Sequence, residues 1–413
     1  MMPEEPGRVI EDGCVLSDDG VVLRVGGYRA VRGLIPRADE VDFGDALLLP
    51  GLVNAHAHLE LSDARPGPKP VSFGAWLGGV IRARSGLGDR VEQAAGEAAR
   101  RGADESLGFG VTTVGDISKF SAATRPVLAE SPLRVVSFGE IQAMAGRRGL
   151  LDERLRTATD LRWDGWTDRN RLRVGVSPHA PYTVEPDGYR RCVAWASATH
   201  RPICTHLAES PEEADFLRDH DGPLRGIWDA MREWDDAVPR HDDGSPLTFA
   251  QRVGLLSTRA PVLLAHANYI DDAELDLLAE STASVAFCPR THAYFGHADH
   301  GRHRLPDMLA RGINVCVGTD SRASSPDLNL VDDLRRVRHD FPELSAGEVW
   351  SLATWRASVG LGQEDTVGSL SPGRFADFAV FPCETPRDPL ANVLDGDARP
   401  IATVISGDPL REP

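Results

Sequence analysis

The chain predicts an α/β fold: a (β/α)8 TIM-like barrel with a small β-sandwich domain formed by both chain termini. Three observations carry this. Eight short apolar runs rich in β-branched residues recur through the middle of the chain, each closing on a polar or charged residue, with amphipathic stretches between them. No glycine-rich dinucleotide fingerprint favours the alternative, an open doubly wound sheet. Both ends carry short alternating runs broken by glycines, with no helical pattern between them.

The eight runs lie at 47–58, 111–116, 135–140, 174–179, 202–206, 262–266, 284–288 and 313–320. Helical spacing fills 91–107, 151–161, 189–199, 271–280 and 306–311; the apolar positions Ala273, Leu275, Leu277 and Leu278 suit a partly buried helix. Strands alternating with helices imply parallel βαβ units, and eight such units close into a barrel. At the ends, 8–45 and the tail from Gly368 read as strands, notably 375–381 and 401–405. Because chain ends often lie near each other, the expected division is a β-sandwich from 1–48 plus 363–413 and a catalytic barrel from 49–362. Between 219 and 250 the chain carries Trp228, Trp234, glycines, prolines and an acidic stretch. A lid and a surface insertion with one local helix are equally compatible with it.

Composition excludes some functions. Of the 413 residues, 41% are hydrophobic and 26% charged, as in ordinary globular proteins, and the net charge of −17 argues against nucleic-acid binding, which needs a basic face. No apolar run approaches the roughly 20 residues of a membrane span, and the acidic Met1–Glu5 start has no apolar core of a signal sequence. The six cysteines are scattered without a CxxC pair and read as small buried hydrophobes. A reducing, cytoplasmic compartment is expected.

Barrel chemistry sits at the C-terminal ends of strands. The first run ends Asn54-Ala55-His56-Ala57-His58, and alternate strand residues share a face, so both imidazoles aim at one point. Later strand ends carry His179, His206, His266 and Asp320, so five of the chain's 13 histidines occupy such positions. A lone strand-end histidine is usually a hydrogen-bonded structural residue; five with a terminal aspartate point to a metal. Imidazole and carboxylate ligands suit one divalent first-row ion, zinc first and iron second. Such an ion drops the pKa of its water to about 7. Glu209, three residues past His206, can relay that water's proton; a glutamate favoured by a helix N-terminus is the alternative. Asp320 can ligate metal or accept a proton.

The ordered words Pro50-Gly51-Leu52-Val53-Asn54-Ala55-His56-Ala57-His58, Ser177-Pro178-His179-Ala180-Pro181-Tyr182-Thr183, His206-Leu207-Ala208-Glu209, His266-Ala267-Asn268, Gly318-Thr319-Asp320-Ser321 and Gly373-Arg374-Phe375-Ala376-Asp377-Phe378 resemble the amidohydrolase superfamily over nearly the whole chain. Within it the chain resembles the branch that deaminates or dechlorinates aromatic nitrogen rings. The resemblance implies that His56, His58, His206 and Asp320 bind one metal and that His266 hydrogen-bonds the attacking hydroxide. It implies that Glu209 shuttles a proton to the ring nitrogen, that Asp320 takes the proton from water, and that His179 contacts substrate. No lysine occupies 174–179, where dinuclear relatives place a bridging carbamate, so one metal is expected. The implied reaction is hydrolytic deamination of a small heterocyclic substrate with release of ammonia. In the loop 288–297, Thr291-His292 replaces the family's Ser-Asn pair, and Arg290 and His292 are candidate substrate contacts, with Trp76 a third. His58-Leu59-Glu60-Leu61-Ser62 resembles the corresponding word of aminodeoxyfutalosine deaminases, which makes that nucleoside the leading substrate. Hydrolysis of ring C–Cl or cyclic amide bonds, and a non-catalytic scaffold, are the alternatives. Relatives are commonly homodimers.

Overall fold

The computed structural model describes residues 7–410 except 36, 168, 242 and 384–387. In chain order the strands, apart from the two-residue Gly165–Trp166 that pairs antiparallel with Arg171–Pro178, are β1 (Gly13–Asp18), β2 (Val21–Gly27), β3 (Ala46–Pro50), β4 (Leu52–Ala57), β5 (Val111–Ser118), β6 (Arg134–Ile141) and β7 (Arg171–Pro178). They continue with β8 (Ile203–Leu207), β9 (Val262–His266), β10 (Ser284–Phe287), β11 (Val315–Val317), β12 (Phe378–Pro382), β13 (Ala402–Ile405) and β14 (Asp408–Pro409). Strands β4 to β11 pair in parallel in sequence order. A parallel bridge between Ala57 and Asp320, with the Asp320 N–H donating to the His56 carbonyl at 3.0 Å, joins the first strand to the last. The ring is the expected (β/α)8 barrel, and closure removes its sheet edges. No helix among the described residues is long and apolar enough to cross a membrane.

The first expected run proves to be two strands. Ala46–Pro50 pairs antiparallel with β12 in the terminal sheet, whereas Leu52–Ala57 opens the barrel. They divide at Gly51, whose N–H donates to the Asp377 carbonyl and where a Cβ would collide with the Thr112 side chain. Within β4 the pairing with β5 slips by one residue between Asn54 and Ala57. The extra residue is a bulge, which reverses which side chains face inward. Val53 and Ala55 belong to the apolar cluster inside the barrel with Phe138, Leu263 and Ala265, whereas Ala57 packs in the outer cluster under the helices. His56 and His58 thereby take the inward side.

The terminal sheet runs β14-β13-β12-β3, and the β1–β2 hairpin is bridged to the tail through Val21 and Phe375. Both chain ends therefore meet, as expected, but they are not purely strand: helices occupy Tyr28–Arg32 and Pro389–Asp395. The second carries an ordinary start signal, Asp388 accepting the Ala391 N–H ahead of Pro389. The 219–250 segment forms two helices, Gly222–Met231 and Pro246–Arg252. Trp228 in the first is buried, donates to the Tyr182 carbonyl at 3.0 Å and packs with Phe73, Phe216 and Tyr182.

One buried ion pair locks the terminal sheet to the barrel. Arg134 of β6 donates to Asp377 at 2.6 Å and 3.2 Å, and its guanidinium lies 3.5 Å over the Phe375 ring. Asp377 also accepts the Ser406 N–H. Removing one partner of a buried pair costs about 3–5 kcal/mol, because the other charge stays uncompensated. Asp377→Ala is therefore expected to lose that much stability in chemical denaturation; a loss below 1 kcal/mol would show that the seam is not a major support.

Candidate metal centre

Side chains from five strand ends meet at one end of the barrel. His56 is completely buried, and neither of its ring nitrogens has a hydrogen-bond partner among the described residues. One ligand atom each of His56, His58 and His206 lies within 4.8 Å of the others. The Nε2 atoms of His58 and His206 face each other at 3.1 Å. Asp320 Oδ1 stands 3.8 Å from His56 Nε2 and 3.5 Å from His58 Nε2. Beside them, the His266 ring lies 5.5 Å from that of His206, and its Nε2 is 3.5 Å from Glu209 Oε1 with no hydrogen-bond partner among the described residues.

Burial decides the charge states. It pushes His58 and His179 down to about 3 and also lowers His56, His206 and His266. At neutral pH these rings are uncharged and each offers one bare nitrogen. For His206 the tautomer is settled: Nδ1 is 3.0 Å from the His179 carbonyl, which can only accept, so the proton sits on Nδ1 and Nε2 is bare. Burial raises Glu209 well above the usual carboxylate range, with repulsion from Asp320 and Glu213 adding to it. Burial likewise raises Asp320, opposed by His206. Buried neutral imidazoles, with His56 unpartnered among the described residues and the Nε2 atoms of His58 and His206 set against each other, converge on a carboxylate and fit a divalent metal ion: the ion would take up the unprotonated nitrogens and offset the burial of negative charge.

A second set of residues aims the first. Asn54 and Thr319 exchange two hydrogen bonds, of 2.8 Å and 3.1 Å, tying β4 to the turn that carries Asp320. Asp116 accepts the Leu59 N–H at 2.9 Å, just past His58. Ser324 donates to Asp320 Oδ2 at 2.9 Å. Glu213, wholly buried, accepts the N–H groups of Ala208 and Glu209 at 3.0 Å and 3.1 Å, and Asn268 donates to the Glu209 carbonyl at 3.0 Å. Sequence reading missed these supports. Glu213 alone left a trace, four residues past Glu209 in the first turn of the helix Pro211–Asp219.

The expected substrate contacts divide. His179 lies beside the cluster, its ring 4.8 Å from that of His206, with Nδ1 2.7 Å from Thr183 Oγ1. Trp76 is half-buried between Phe73 and Phe295 and donates to the Ala323 carbonyl at 3.2 Å, three residues past Asp320. Arg290 and His292 are taken up elsewhere. The Arg290 guanidinium donates to Asp333, to Asp327 and to the backbone carbonyls of Asp327 and Asn329. His292 is buried against Phe287, His297 and His303. The Arg290 guanidinium thus offsets the charge of buried Asp333 in the helix Leu330–Asp340.

A barrel with histidines and an aspartate converging at its strand ends defines a metal-dependent hydrolase class. Residues 47–410 match the amidohydrolase family, and the chain belongs to that family of hydrolytic enzymes. It is 30% identical over 393 residues to the 5-methylthioadenosine/S-adenosylhomocysteine deaminase of Nitratidesulfovibrio vulgaris strain Miyazaki F, covering 92% of this chain and 81% of that one. It is 25% identical over 408 residues to the 5'-deoxyadenosine deaminase of Methanopyrus kandleri, covering 94% and 86%. Among solved structures it resembles Helicobacter pylori aminofutalosine deaminase bound to methylthio-coformycin, with a TM-score of 0.84, 22% identity and coverage of 98% and 96%. It also resembles atrazine chlorohydrolase from Arthrobacter aurescens TC1 complexed with zinc, at TM-score 0.81, 24% identity and coverage of 98% and 91%.

Arg290→Met is expected to cost about 3–5 kcal/mol of stability by stranding Asp333, with KM unchanged. A raised KM at unchanged stability would return Arg290 to the substrate.

Proposed function

We propose that the protein is a mononuclear metal-dependent deaminase of an aminated nitrogen heterocycle, a purine-like nucleoside, with aminodeoxyfutalosine the leading candidate. The observation that carries this is the pairing of a bare-nitrogen cluster, His56, His58 and His206 with Asp320, with a buried Glu209–His266 pair beside it. The substrate class is supported by the nucleoside deaminases among the relatives and structural neighbours.

In this reading His56, His58, His206 and Asp320 hold the ion, with zinc favoured. A divalent ion there supplies a hydroxide nucleophile at neutral pH. Asp320 takes the proton released from water, and His266 hydrogen-bonds the nucleophile and fixes its direction. Glu209, which burial raises well above the usual carboxylate range, donates a proton to the ring nitrogen beside the amino-bearing carbon. That protonation makes the carbon electrophilic; Asp320 passes its proton to the amino group and Glu209 takes the proton of the new hydroxyl, so the tetrahedral adduct expels ammonia, leaves a keto group and restores both carboxyl groups. Positioning and fixed charge supply most of the rate enhancement. In this reading His179 and Trp76 meet the heterocycle. The division into a terminal unit, 1–48 with 363–413, and a catalytic barrel, 49–362, belongs to the same proposal.

The test is ammonia release from a panel of aminated purines, pterins and nucleosides by zinc-loaded protein. Ring-opened product or chloride without ammonia would overturn deamination. Glu209→Gln is expected to lower kcat by about 10²–10⁴, the usual contribution of a general acid–base group, while metal stays near one per chain; normal turnover would refute the shuttle. His206→Ala and Asp320→Ala are each expected to lose the metal, and full occupancy in both would refute the ligand set.

A further inference from the structure

We propose that His303 is a positioning residue: its ring N–H clamps the carbonyl of a strained turn at His266 and so holds the His266 imidazole inward, against Glu209. The effect on turnover rests on the deaminase reading above; the effect on the backbone does not.

Leu263 and Ala265 of β9 face the barrel interior, so a regular strand would aim the next residue, His266, outward at the helices. His266 faces inward because the strand breaks there. Its φ is +77°, and the Ala267 N–H reaches back to the Ala265 carbonyl at 3.3 Å, spanning a single residue. This is a γ-turn of positive φ, a rare and strained form, and Ala267 follows at +47°. Neither residue is glycine, so the surroundings must impose the conformation.

On one side β8 holds the turn: the Ala267 N–H also lies 3.0 Å from the Leu207 carbonyl, and the Asn268 N–H donates to the Ala208 carbonyl at 2.9 Å. On the other side His303 Nε2 lies 3.1 Å from the His266 carbonyl. A carbonyl only accepts, so Nε2 carries the proton; Nδ1 is buried without a partner among the described residues. The ring cannot easily swing away. It is 2% exposed and stacked on Phe287 at 4.0 Å and 20°. His303 therefore joins the end of β10 to the one carbonyl that must stay put for His266 to point inward. Its position in the loop before the helix Leu305–Ala310 gave no hint of this from sequence.

Three variants separate the clamp from mere packing. His303→Phe keeps the stack and removes the donor; His303→Gln keeps a donor at similar reach; His303→Asn has a donor too short to reach. On the substrate that releases ammonia, His303→Phe is expected to lower kcat roughly 10–100-fold, the scale of a small misplacement in an active site. KM and the zinc content should stay unchanged, and His303→Gln should recover most of the loss while His303→Asn does not. Crystal structures should show His266 leaving its positive φ in the Phe variant and keeping it in the Gln variant. Wild-type kcat with His266 still near +77° in the Phe variant would overturn the proposal, as would equal behaviour of the Gln and Asn variants, which decides the matter if the Phe variant does not fold. If the wild-type protein deaminates nothing, the deaminase reading fails, and the His266 conformation in the variants still tests the clamp.

Discussion

Bringing four uncharged imidazoles and two carboxylates into one buried space is the constraint on which the rest of the barrel depends. Imidazole nitrogens left unpaired in the interior are unfavourable, so the backbone must help to aim the rings. A regular barrel would not aim them all. The bulge in β4 turns His56 and His58 inward, and the γ-turn after Ala265 does the same for His266. Four of the eleven positive-φ non-glycine residues among those described, Ala208, His266, Ala267 and Asp320, lie at these strand ends. Such residues cost of order 1–3 kcal/mol each and persist where the surroundings impose them.

The same constraint explains the polar belt around the centre. Asn54 with Thr319, Asp116 with the Leu59 amide, Ser324 with Asp320, and Glu213 with two backbone amides each fix one direction. Each is spent on a neighbouring protein group, not on solvent. Far from the centre, Arg134 and Asp377 do comparable work, holding the sheet of the two chain ends against the barrel. The family's closing Gly-x-x-Ala-Asp word thus finds a structural explanation here: its aspartate neutralises an arginine buried at that seam.

Residues whose position follows from local pattern were legible in the sequence. Strand-end polarity located His56, His58, His206, His266 and Asp320, and strand–helix alternation gave the barrel. What depended on contacts distant in the chain was not. The break at Gly51 comes from Thr112 and Asp377, the anchoring of Arg290 from Asp327 and Asp333, and the turn at His266 from His303, 37 residues later. The helix Tyr28–Arg32 escaped because five residues hold too little periodicity to declare themselves. The pairing of Arg290 was hidden for a physical reason: a cation in a loop near the chemistry shows its buried aspartate only once the distant helix is in place.

The central claim is that one set of neutral imidazoles with Asp320 holds a single metal ion. X-ray absorption at the metal edge of the zinc-loaded protein, with metal content measured on the same sample, tests it most directly. The account predicts one zinc per chain, surrounded by three imidazole nitrogens and by oxygen at about 2.0–2.2 Å, with no sulfur. Two metals per chain, a sulfur ligand or fewer than three imidazoles would contradict it.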